Sequence, residues 1–365
     1  MPIKVLFATH ISQSGSPSLA ERMLIKGLHS QGVDLTVITH NRTQESIELE
    51  SLGVKLEYFP IFKKISFKTI ASIHKLLVEG KYEVLHITYG KAITNGIFAA
   101  KGIPVKIVVF FGSMSVYWHD PSAYLSFLNS RIDKIICISD CVRDHVKRQL
   151  PKKNQHKAVR IYRGFDPDWL GTIVAESRES LNIPENAFVI ACVATVRKIK
   201  GIPYLIKAAN FIPAGLPIYF IIVGSDSDSQ GIRKLAEATK YKDNFRLMGK
   251  QPIAPAFTAM CDLYVQPSIT EGLGRAIIEA MSLCKPVIVT DNGGAKELID
   301  KSNCGFVVPA KSSEAIAEKI LYCFNNRHLL KAMGEMARER INSKFHINNS
   351  VTQTIELYND ITGKN

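Results

Sequence analysis

Residues 267–294 read PSITEGLGRAIIEAMSLCKPVIVTDNGG, and this stretch decides the fold class more than any other part of the chain. It reads in order as a strand end, a glycine-containing loop, a helix, a short turn, a buried strand and a second turn at Gly293 and Gly294. Gly272 and Gly274 let the backbone approach a ligand closely and leave amide groups unbonded at the start of the helix. Because a helix N-terminus carries partial positive charge, we expect this loop to bind a phosphate group.

Two glutamates flank that helix start. Glu271 lies on the loop, and Glu279 follows eight positions later inside the helix. A carboxylate inside the helix can hydrogen-bond a vicinal diol, and one on the loop can reach hydroxyls beyond the phosphate. Ribose, diphosphate and hexose together make a nucleotide sugar, which is the ligand that the stretch predicts. A single glutamate would more simply be a solvated helix residue, but the whole pattern argues against that interpretation.

Apolar runs of strand length alternate with longer amphipathic stretches along the whole chain. This alternation indicates βαβ units and mostly parallel sheets. The rhythm restarts after residues 162–170, so we expect an α/β fold of two Rossmann-like, doubly wound domains that face a central ligand-binding cleft. We place the first domain at 1–168, the second at 169–345, and a helix at 346–365 that returns to the first domain. The predicted strands are IKVLFAT, VDLTVIT, VKLEYFP, VLHIT, VKIVVFF, KIICIS, AVRIY, FVIACVA, IYFIIVG, DLYVQPS, PVIVT and GFVVP.

The composition excludes several classes of protein. With 365 residues, 46% hydrophobic and 22% charged, the chain is typical of globular proteins rather than disordered, collagen-like or disulfide-scaffold proteins. No apolar run approaches the roughly 20 residues that span a bilayer, and the first residues do not read as a signal peptide. The seven cysteines are odd in number and lack a Cys-x-x-Cys pair, which indicates reduced thiols and no metal site. We therefore expect a cytoplasmic protein.

The net charge of +13 is unevenly distributed. Residues 1–165 contain 23 Lys and Arg against 12 Asp and Glu, whereas the remaining residues contain 23 against 21. This asymmetry suggests that the first domain meets an anionic partner, such as nucleic acid, an anionic membrane surface or an acidic acceptor. No motif and no aromatic–basic interleaving supports nucleic acid, so we do not expect that partner.

The segment at 60–81, PIFKKISFKTIASIHKLLVEGK, combines lysines with apolar residues. We predict a helix that Ser66 caps, with one apolar face packed on the sheet. The preceding apolar residues are then surplus and flanked by lysines, as in segments that rest on anionic lipid. A possible peripheral association with the cytoplasmic membrane face follows. The helix-face residues are Ile70, Ile73 and Leu77, and the surplus residues are Ile61, Phe62 and Ile65.

A second chemical element is VATVRKIKGIPYLIKAA at 193–209. Arg197 and Lys200 follow a predicted strand and precede a helix that begins near Gly201. Two cations at the carboxyl end of a strand can neutralise a diphosphate leaving group. The simpler alternative is a solvated basic turn.

The stretch at 267–294 closely resembles the retaining nucleotide-sugar glycosyltransferases of family four, whose two glutamates stand in an E-G-x-G-x-x-x-x-E-A-M setting. The resemblance implies the GT-B fold, with an acceptor-binding first domain and a donor-binding second domain. It assigns the donor sugar to Glu271 and the ribose to Glu279. The backbone positions that it adds to the donor site are Gly272, Leu273 and Gly274.

Other positions depart from the family pattern. Where that pattern is G-R-x-x-x-x-K-G, Thr195 occupies the commoner arginine position and Arg197 stands two residues later. The resemblance still assigns the diphosphate to Arg197 and Lys200, which complete the catalytic set with Glu271. Gly15 alone stands where relatives commonly have two donor-facing glycines.

In the first domain, Phe111 stands where many relatives place a histidine near the donor sugar. His119 and Asp120 are the candidates to replace it, although a lone histidine is more often structural. Asp226 and Asp228 superficially match an Asp-x-Asp metal motif, but we interpret them as a solvated loop. We expect no metal and no cofactor.

The resemblance implies transfer of a sugar to a glycan or lipid-linked acceptor, in some relatives of lipopolysaccharide type. In such retaining enzymes the leaving diphosphate is stabilised electrostatically and the acceptor attacks from the same face. Two alternatives remain open. One is a nucleotide-sugar 2-epimerase, for which Phe111 leaves no acid or base, and the other is a non-catalytic protein that binds nucleotide sugar or anionic lipid.

Overall fold

The computed structural model describes residues 2–11, 19–299 and 303–364. The chain divides into two compact units, the first formed by Met1–Phe165 with Phe345–Asn365 and the second by Asp166–Lys344. Each unit contains one parallel sheet with helices packed against it. The prediction of two Rossmann-like α/β domains is therefore confirmed.

The described residues form thirteen named strands and thirteen named α-helices. The strands are β1 (Lys4–Ala8), β2 (Asp34–Thr39), β3 (Lys55–Tyr58), β4 (Val84–Ile87), β5 (Lys106–Phe111), β6 (Lys134–Cys137), β7 (Ala158–Arg160), β8 (Phe188–Val193), β9 (Ile218–Val223), β10 (Phe245–Leu247), β11 (Leu263–Gln266), β12 (Val287–Thr290) and β13 (Gly305–Val308). The helices are α1 (Leu19–Ser30), α2 (Gln44–Ser51), α3 (Phe67–Gly80), α4 (Gly90–Ala99), α5 (Asp140–Gln149), α6 (Ile202–Ala208), α7 (Gln230–Glu237), α8 (Ala254–Met260), α9 (Arg275–Ser282), α10 (Ala295–Ile299), α11 (Ser313–Asn325), α12 (Arg327–Lys344) and α13 (Ile347–Thr362).

The sheet of the first unit has the strand order β3-β2-β1-β4-β5-β6-β7, with every neighbouring pair parallel. The chain runs outward from β1 to β3 and then returns to β4, so the order reverses between β1 and β4. Loops leave the sheet in opposite directions at such a point, which opens a crevice at the carboxyl ends of the strands. The residues after β1, β2 and β4 therefore lie where a ligand site is expected.

Helices cover both faces of this sheet. On one face α1 packs against α13, and their apolar residues join one core cluster with β1 and β2. On the other face α3 packs against α4 over a second cluster. Tyr358 of α13 is completely buried in the first of these clusters. The C-terminal helix thus forms part of the first unit.

The predicted cap and face of α3 are confirmed. The Ser66 hydroxyl accepts a hydrogen bond from the Thr69 amide, and Ile73 and Leu77 are buried against the sheet. The prediction that Ile61 is a surplus apolar residue is wrong. Ile61 is completely buried in the core, because it turns inward where the chain leaves β3.

The sheet of the second unit has the order β10-β9-β8-β11-β12-β13, again all parallel. Its order reverses between β8 and β11, so a ligand crevice is expected at the carboxyl ends of these two strands. The edge strand β10 escaped sequence analysis because its three residues, FRL, are too short to form a recognisable run.

The segment between the units belongs to the second one from Asp166 onward, three residues before the predicted boundary. Leu170 is buried, and Asp168 forms an ion pair with Arg338 of α12 at 3.2 Å. Phe165 remains with the first unit because its amide donates a hydrogen bond to the Phe345 carbonyl. Within the described ranges, every helix is too short or too polar to cross a membrane.

Candidate functional site

The loops that follow β8 and β11 meet at the carboxyl edge of the second sheet. The Ile269 amide donates a hydrogen bond of 2.7 Å to the Ile199 carbonyl. Gly201 has φ +65°, and a Cβ atom there would lie 1.9 Å from the Pro267 carbonyl oxygen. Only glycine permits this approach, so Gly201 allows the two loops to pack together.

This contact joins two predicted site residues. Lys200 Nζ lies 2.6 Å from Glu271 Oε2, and the Ser268 hydroxyl donates a hydrogen bond of 3.1 Å to the same oxygen. The side chains of Lys200 and Glu271 keep 26% and 13% of their exposure, so both can still reach a ligand. A cation and a carboxylate are thus held side by side at the edge of the crevice.

A buried hydrogen-bond chain supports Ser268 from behind. Gln266 Nε2 donates to the Ser268 hydroxyl at 3.0 Å, and the Tyr264 hydroxyl donates to Gln266 Oε1 at 2.8 Å. All three residues are buried. Sequence analysis missed this chain, although its signal was visible: polar residues at every second position of DLYVQPS share one face of the strand.

The second glycine turn fixes the Glu271 loop. The Gly294 amide donates a hydrogen bond of 2.9 Å to the Glu271 carbonyl, and Gly293 forms an isolated parallel bridge with Glu271. At Gly293, with φ +116°, a Cβ atom would lie 2.2 Å from the Glu271 carbonyl oxygen. The glycines of the DNGG turn therefore serve close backbone packing.

The predicted phosphate loop leads directly into α9. Gly274 is the N-cap at φ +100°, and no side chain caps the helix start. Leu273 is buried and anchors the loop, whereas Gly272 is only half-buried. The first turn of α9 therefore presents amides without a capping side chain, as an anion site requires.

Glu279 lies buried one turn further along α9. Arg275 Nε donates a hydrogen bond of 2.9 Å to Glu279 Oε1. Burial raises the pKa of the Glu279 carboxyl, and the neighbouring Arg275 opposes this rise. Sequence analysis missed Arg275, although its four-residue spacing from Glu279 is the usual signal for a helical ion pair.

Arg197 lies apart from this pair. Its side chain is exposed and forms no hydrogen bond or ion pair with any residue that the structure describes. It sits at the N-cap of the short turn Lys198–Lys200, close in sequence to Lys200. The structure thus brings Lys200, but not Arg197, into contact with Glu271.

The Asp-x-Asp match does not form a cluster. Asp226 and Asp228 are exposed, and the loop is fixed by the buried Ser227 between them. The Ser227 hydroxyl donates to the Ile222 carbonyl at 3.1 Å and accepts from the Gly249 amide at 2.9 Å. Across the described ranges, no three His, Cys, Asp or Glu side chains gather as metal ligands would.

In the first unit, the predicted candidates His119 and Asp120 are both exposed on the segment that follows β5. The Asp120 carboxylate accepts hydrogen bonds from the Ser122 amide and hydroxyl, which lower the pKa of Asp120. His119 is exposed and stacks on the Tyr117 ring. Phe111 is buried in the core with its ring centroid 4.5 Å from that of Phe127. Gly15 lies outside the described residues.

Sequence analysis missed an aromatic cluster at the reversal point of the first sheet. Strands β1, β2 and β4 run on into ATH, ITH and ITY, so His10, His40 and Tyr89 follow three neighbouring strands. The ring centroids of His10 and His40 are 4.6 Å apart, and those of His40 and Tyr89 are 5.0 Å apart. The sequence signal for this cluster was a threonine followed by an aromatic ring after each of the three strands.

The hydrogen bonds of this cluster fix the proton positions. His40 Nε2 lies 3.0 Å from the Ile61 carbonyl, so that nitrogen carries the proton and donates. Burial lowers the pKa of His40 and so favours the neutral ring, in which Nδ1 is an acceptor. His10 Nδ1 lies 3.3 Å from this acceptor and donates to it.

Two family models match the chain. The model described as Glycosyltransferase Family 4 matches residues 22–169, and the model described as Glycosyl transferases group 1 matches residues 173–340. An uncharacterized glycosyltransferase of Methanocaldococcus jannaschii is 27% identical over 360 residues, which cover 95% of each chain. A UDP-Gal:alpha-D-GlcNAc-diphosphoundecaprenol alpha-1,3-galactosyltransferase of Escherichia coli is 24% identical over 319 residues, 80% of this chain and 79% of the relative.

Solved structures share the fold. The Anabaena protein HepE, in complex with UDP and glucose, has a TM-score of 0.78 and 20% identity, and the likeness covers 98% of this chain and 100% of that one. The two parallel α/β units and the two matched families define a glycosyltransferase of the GT-B type. Within that class, the chain belongs to the glycosyltransferases in which a family 4 domain precedes a group 1 domain.

Proposed function

We propose that this glycosyltransferase moves a sugar from a nucleotide-diphosphate sugar to an acceptor hydroxyl with retention of the anomeric configuration. The observation that carries the proposal is the contact of Lys200 with Glu271 beside the uncapped start of α9. A cation, a carboxylate and helix amides complement a diphosphate joined to a sugar. The Anabaena structure with UDP and glucose, and the UDP-Gal donor in the name of the Escherichia coli relative, support this choice of donor.

Each residue has a role in this proposal. The buried Glu279 accepts hydrogen bonds from the ribose diol, and Glu271 accepts them from the sugar. Lys200 exchanges its contact with Glu271 for one with the diphosphate, and the exposed Arg197 supplies a second cation. The negative charge on the diphosphate grows as the sugar–oxygen bond breaks, so these cations stabilise the transition state more than the bound donor.

The proposed step needs no protein nucleophile. The bond between the anomeric carbon and the diphosphate oxygen breaks, and the acceptor oxygen forms its bond to the same face of that carbon. The acceptor proton passes to the departing diphosphate oxygen. Positioning and electrostatic stabilisation supply the rate enhancement.

The reaction is tested by incubating the protein with each nucleotide sugar and a panel of glycan and lipid-linked acceptors, followed by NMR of the product. The expected product keeps the anomeric configuration of the donor sugar. Inversion would contradict the retaining mechanism. Free epimerised sugar without acceptor would point instead to the epimerase alternative.

We further propose a lipid-linked glycan as acceptor, presented at an anionic membrane surface on the cytoplasmic side. The first unit carries 24 Lys and Arg against 14 Asp and Glu, and the second carries 22 against 19. In the first unit, Phe62 is 64% exposed and Phe67 is 87% exposed, with Ile65 between them. No ion pair with a described residue neutralises the neighbouring Lys63, Lys64 and Lys68. Exposed aromatics among unpaired lysines suit an interface with anionic lipid.

Co-sedimentation with phosphatidylglycerol vesicles tests this membrane contact. We expect binding at low salt that weakens as salt screens the lysines. A Lys63→Glu, Lys64→Glu, Lys68→Glu variant should lose it, whereas a Lys234→Glu, Lys240→Glu, Lys242→Glu variant of the second unit should retain it. Equal binding by both variants would contradict the assignment of this surface.

A further inference from the structure

A cavity of about 380 Å³ opens in the first unit beside the exposed apolar surface formed by Phe62, Ile65 and Phe67. It lies between the start of α4 and the turn at Ser122–Phe127, after β4 and β5. The carboxyl ends of both strands lie at the edge of the sheet where ligands bind in folds of this kind. The cavity is thus at the expected place for a ligand, yet it uses none of the residues assigned to the donor.

Two lysines give this cavity its charge. Lys64 and Lys91 both line it. Lys64 precedes α3, and Lys91 lies in the first turn of α4. Among the described residues, neither forms an ion pair. The nearby Asp120 directs its carboxylate oxygens to the Ser122 amide and hydroxyl rather than to a lysine. Two cations therefore line the cavity without a direct ion pair, although the Asp120 carboxylate is close enough to Lys64 to interact with it electrostatically.

The rest of the lining is apolar and continues into the exposed surface. Ile65 and Leu125 line the cavity and are each 46% exposed, and Phe127 lies between the cavity and the core. Tyr124 and Phe62 are exposed nearby in sequence. An anion that bound here would carry an apolar group, because a free phosphate would gain nothing from this rim.

Tyr89 connects the cavity to the histidine pair. It lines the cavity, and its ring stacks on His10 with the centroids 5.5 Å apart. A group attached to an anion in the cavity would therefore lie beside His10, at the reversal point of the sheet.

We propose that this cavity binds the phosphate group that joins the acceptor glycan to its lipid carrier, with Lys64 and Lys91 as the cations that hold it. The inference rests on the proposed transferase function, because it names the acceptor of the same reaction. The lipid chain leaves along Ile65 and Leu125 towards the membrane surface. The glycan extends past Tyr89 towards His10.

Calorimetric titration of the full chain with farnesyl diphosphate, without membranes, tests the proposal. The comparison ligands are pyrophosphate and farnesol, and the key variant is Lys64→Ala with Lys91→Ala. Because charge-assisted hydrogen bonds are lost, we expect affinity to fall by about tenfold or more per lysine. The matched control, Lys152→Ala with Lys153→Ala, removes the same charge from an exposed turn elsewhere in the first unit and should change affinity by less than about threefold.

Each other result would overturn the inference. Equal losses in the two variants would mean general electrostatic attraction. Pyrophosphate that binds as tightly as farnesyl diphosphate would mean a site for free diphosphate. Farnesol that binds as tightly would mean that the lysines do not contribute. Nucleotide-sugar binding is measured in parallel, and its absence in the wild-type protein would contradict the proposed function instead.

Discussion

At the scale of single residues, the two glutamates of the donor site lie in contrasting environments although one short segment carries both. The Glu271 side chain is 13% exposed and held by Lys200 and Ser268, whereas Glu279 is buried and held by Arg275. A buried carboxylate with few hydrogen bonds costs free energy in the unliganded protein. A ribose diol that donates to Glu279 would recover part of that cost on binding.

Replacing Glu279 by Gln should weaken donor binding by about 1–3 kcal/mol, because the diol loses its charged acceptor. The fold should not lose stability at neutral pH. The raised pKa of Glu279 means that the folded protein favours the protonated carboxyl, so wild-type stability falls relative to the variant as pH rises from the unfolded pKa through the folded one. Calorimetry with the nucleoside diphosphate and urea unfolding at acidic and neutral pH measure both effects. Unchanged affinity would remove Glu279 from the site.

Replacing Lys200 or Arg197 by Ala should lower turnover more than donor affinity, because both cations act most strongly on the developing charge. Lys200→Ala should also release Glu271 from its ion pair. Steady-state kinetics and donor titration separate the two effects. Lys198→Ala, in the same turn and exposed, is the control that should retain turnover. Wild-type turnover in both site variants would refute the leaving-group assignment.

At the scale of structural elements, the site depends on backbone approach between loops rather than on the elements' own stability. Gly201 brings the loop after β8 onto the Pro267 carbonyl, and Gly293 brings the second turn onto Glu271. Both have positive φ and leave no room for a Cβ atom. The positions of Lys200 and Glu271 therefore follow from these glycines.

Gly201→Ala should separate the two loops and reduce both donor affinity and stability. Gly215→Ala is the matched control, since Gly215 also has positive φ but no atom lies within 4 Å of its would-be Cβ. The control should lose only about 1–2 kcal/mol of stability, the cost of placing an alanine in a left-handed backbone conformation, and should keep its donor affinity. Thermal unfolding and donor titration of both variants measure this. Equal donor affinities would contradict the role of Gly201.

The sequence predicted most strands because each is an uninterrupted apolar run covered on both faces, as in β9 and β12. It did not predict β10, whose three residues gain their strand conformation from pairing with β9. It also predicted that Glu271 and Lys200 belong to one site, but not their direct contact. That contact depends on two loops 71 residues apart, and no local pattern reports it.

At the scale of the whole molecule, acid stability is linked to a buried histidine of the first unit. His86 on β4 is buried, and its Nδ1 is hydrogen-bonded to the Tyr358 hydroxyl on α13 at 2.5 Å. Burial lowers the pKa of His86 to about 3, with a smaller contribution from Arg163. His86 therefore binds a proton at a higher pH in the unfolded chain than in the folded one, so acid favours unfolding.

The first unit should therefore lose stability as pH falls from about 6.5, the unfolded pKa, towards about 3. Between pH 7 and pH 4, His86 should account for about 3 kcal/mol of the loss. A His86→Gln variant should lack this part of the pH dependence, whatever its stability at pH 7. Hydrogen exchange of the β4 amides in urea, corrected for intrinsic exchange rates, measures the stability of the first unit at each pH. An identical pH dependence in variant and wild type would contradict the assignment.

The central claim, a nucleotide-sugar site at Lys200 and Glu271, is tested most directly by thermal unfolding with UDP-, GDP-, ADP- and CMP-sugars. A ligand that binds the folded state raises the unfolding midpoint. We predict that at least one nucleotide-diphosphate sugar raises the midpoint of the wild-type protein and that Glu279→Ala loses most of this increase. No increase with any of the sugars, or an equal increase in the variant, would contradict the claim.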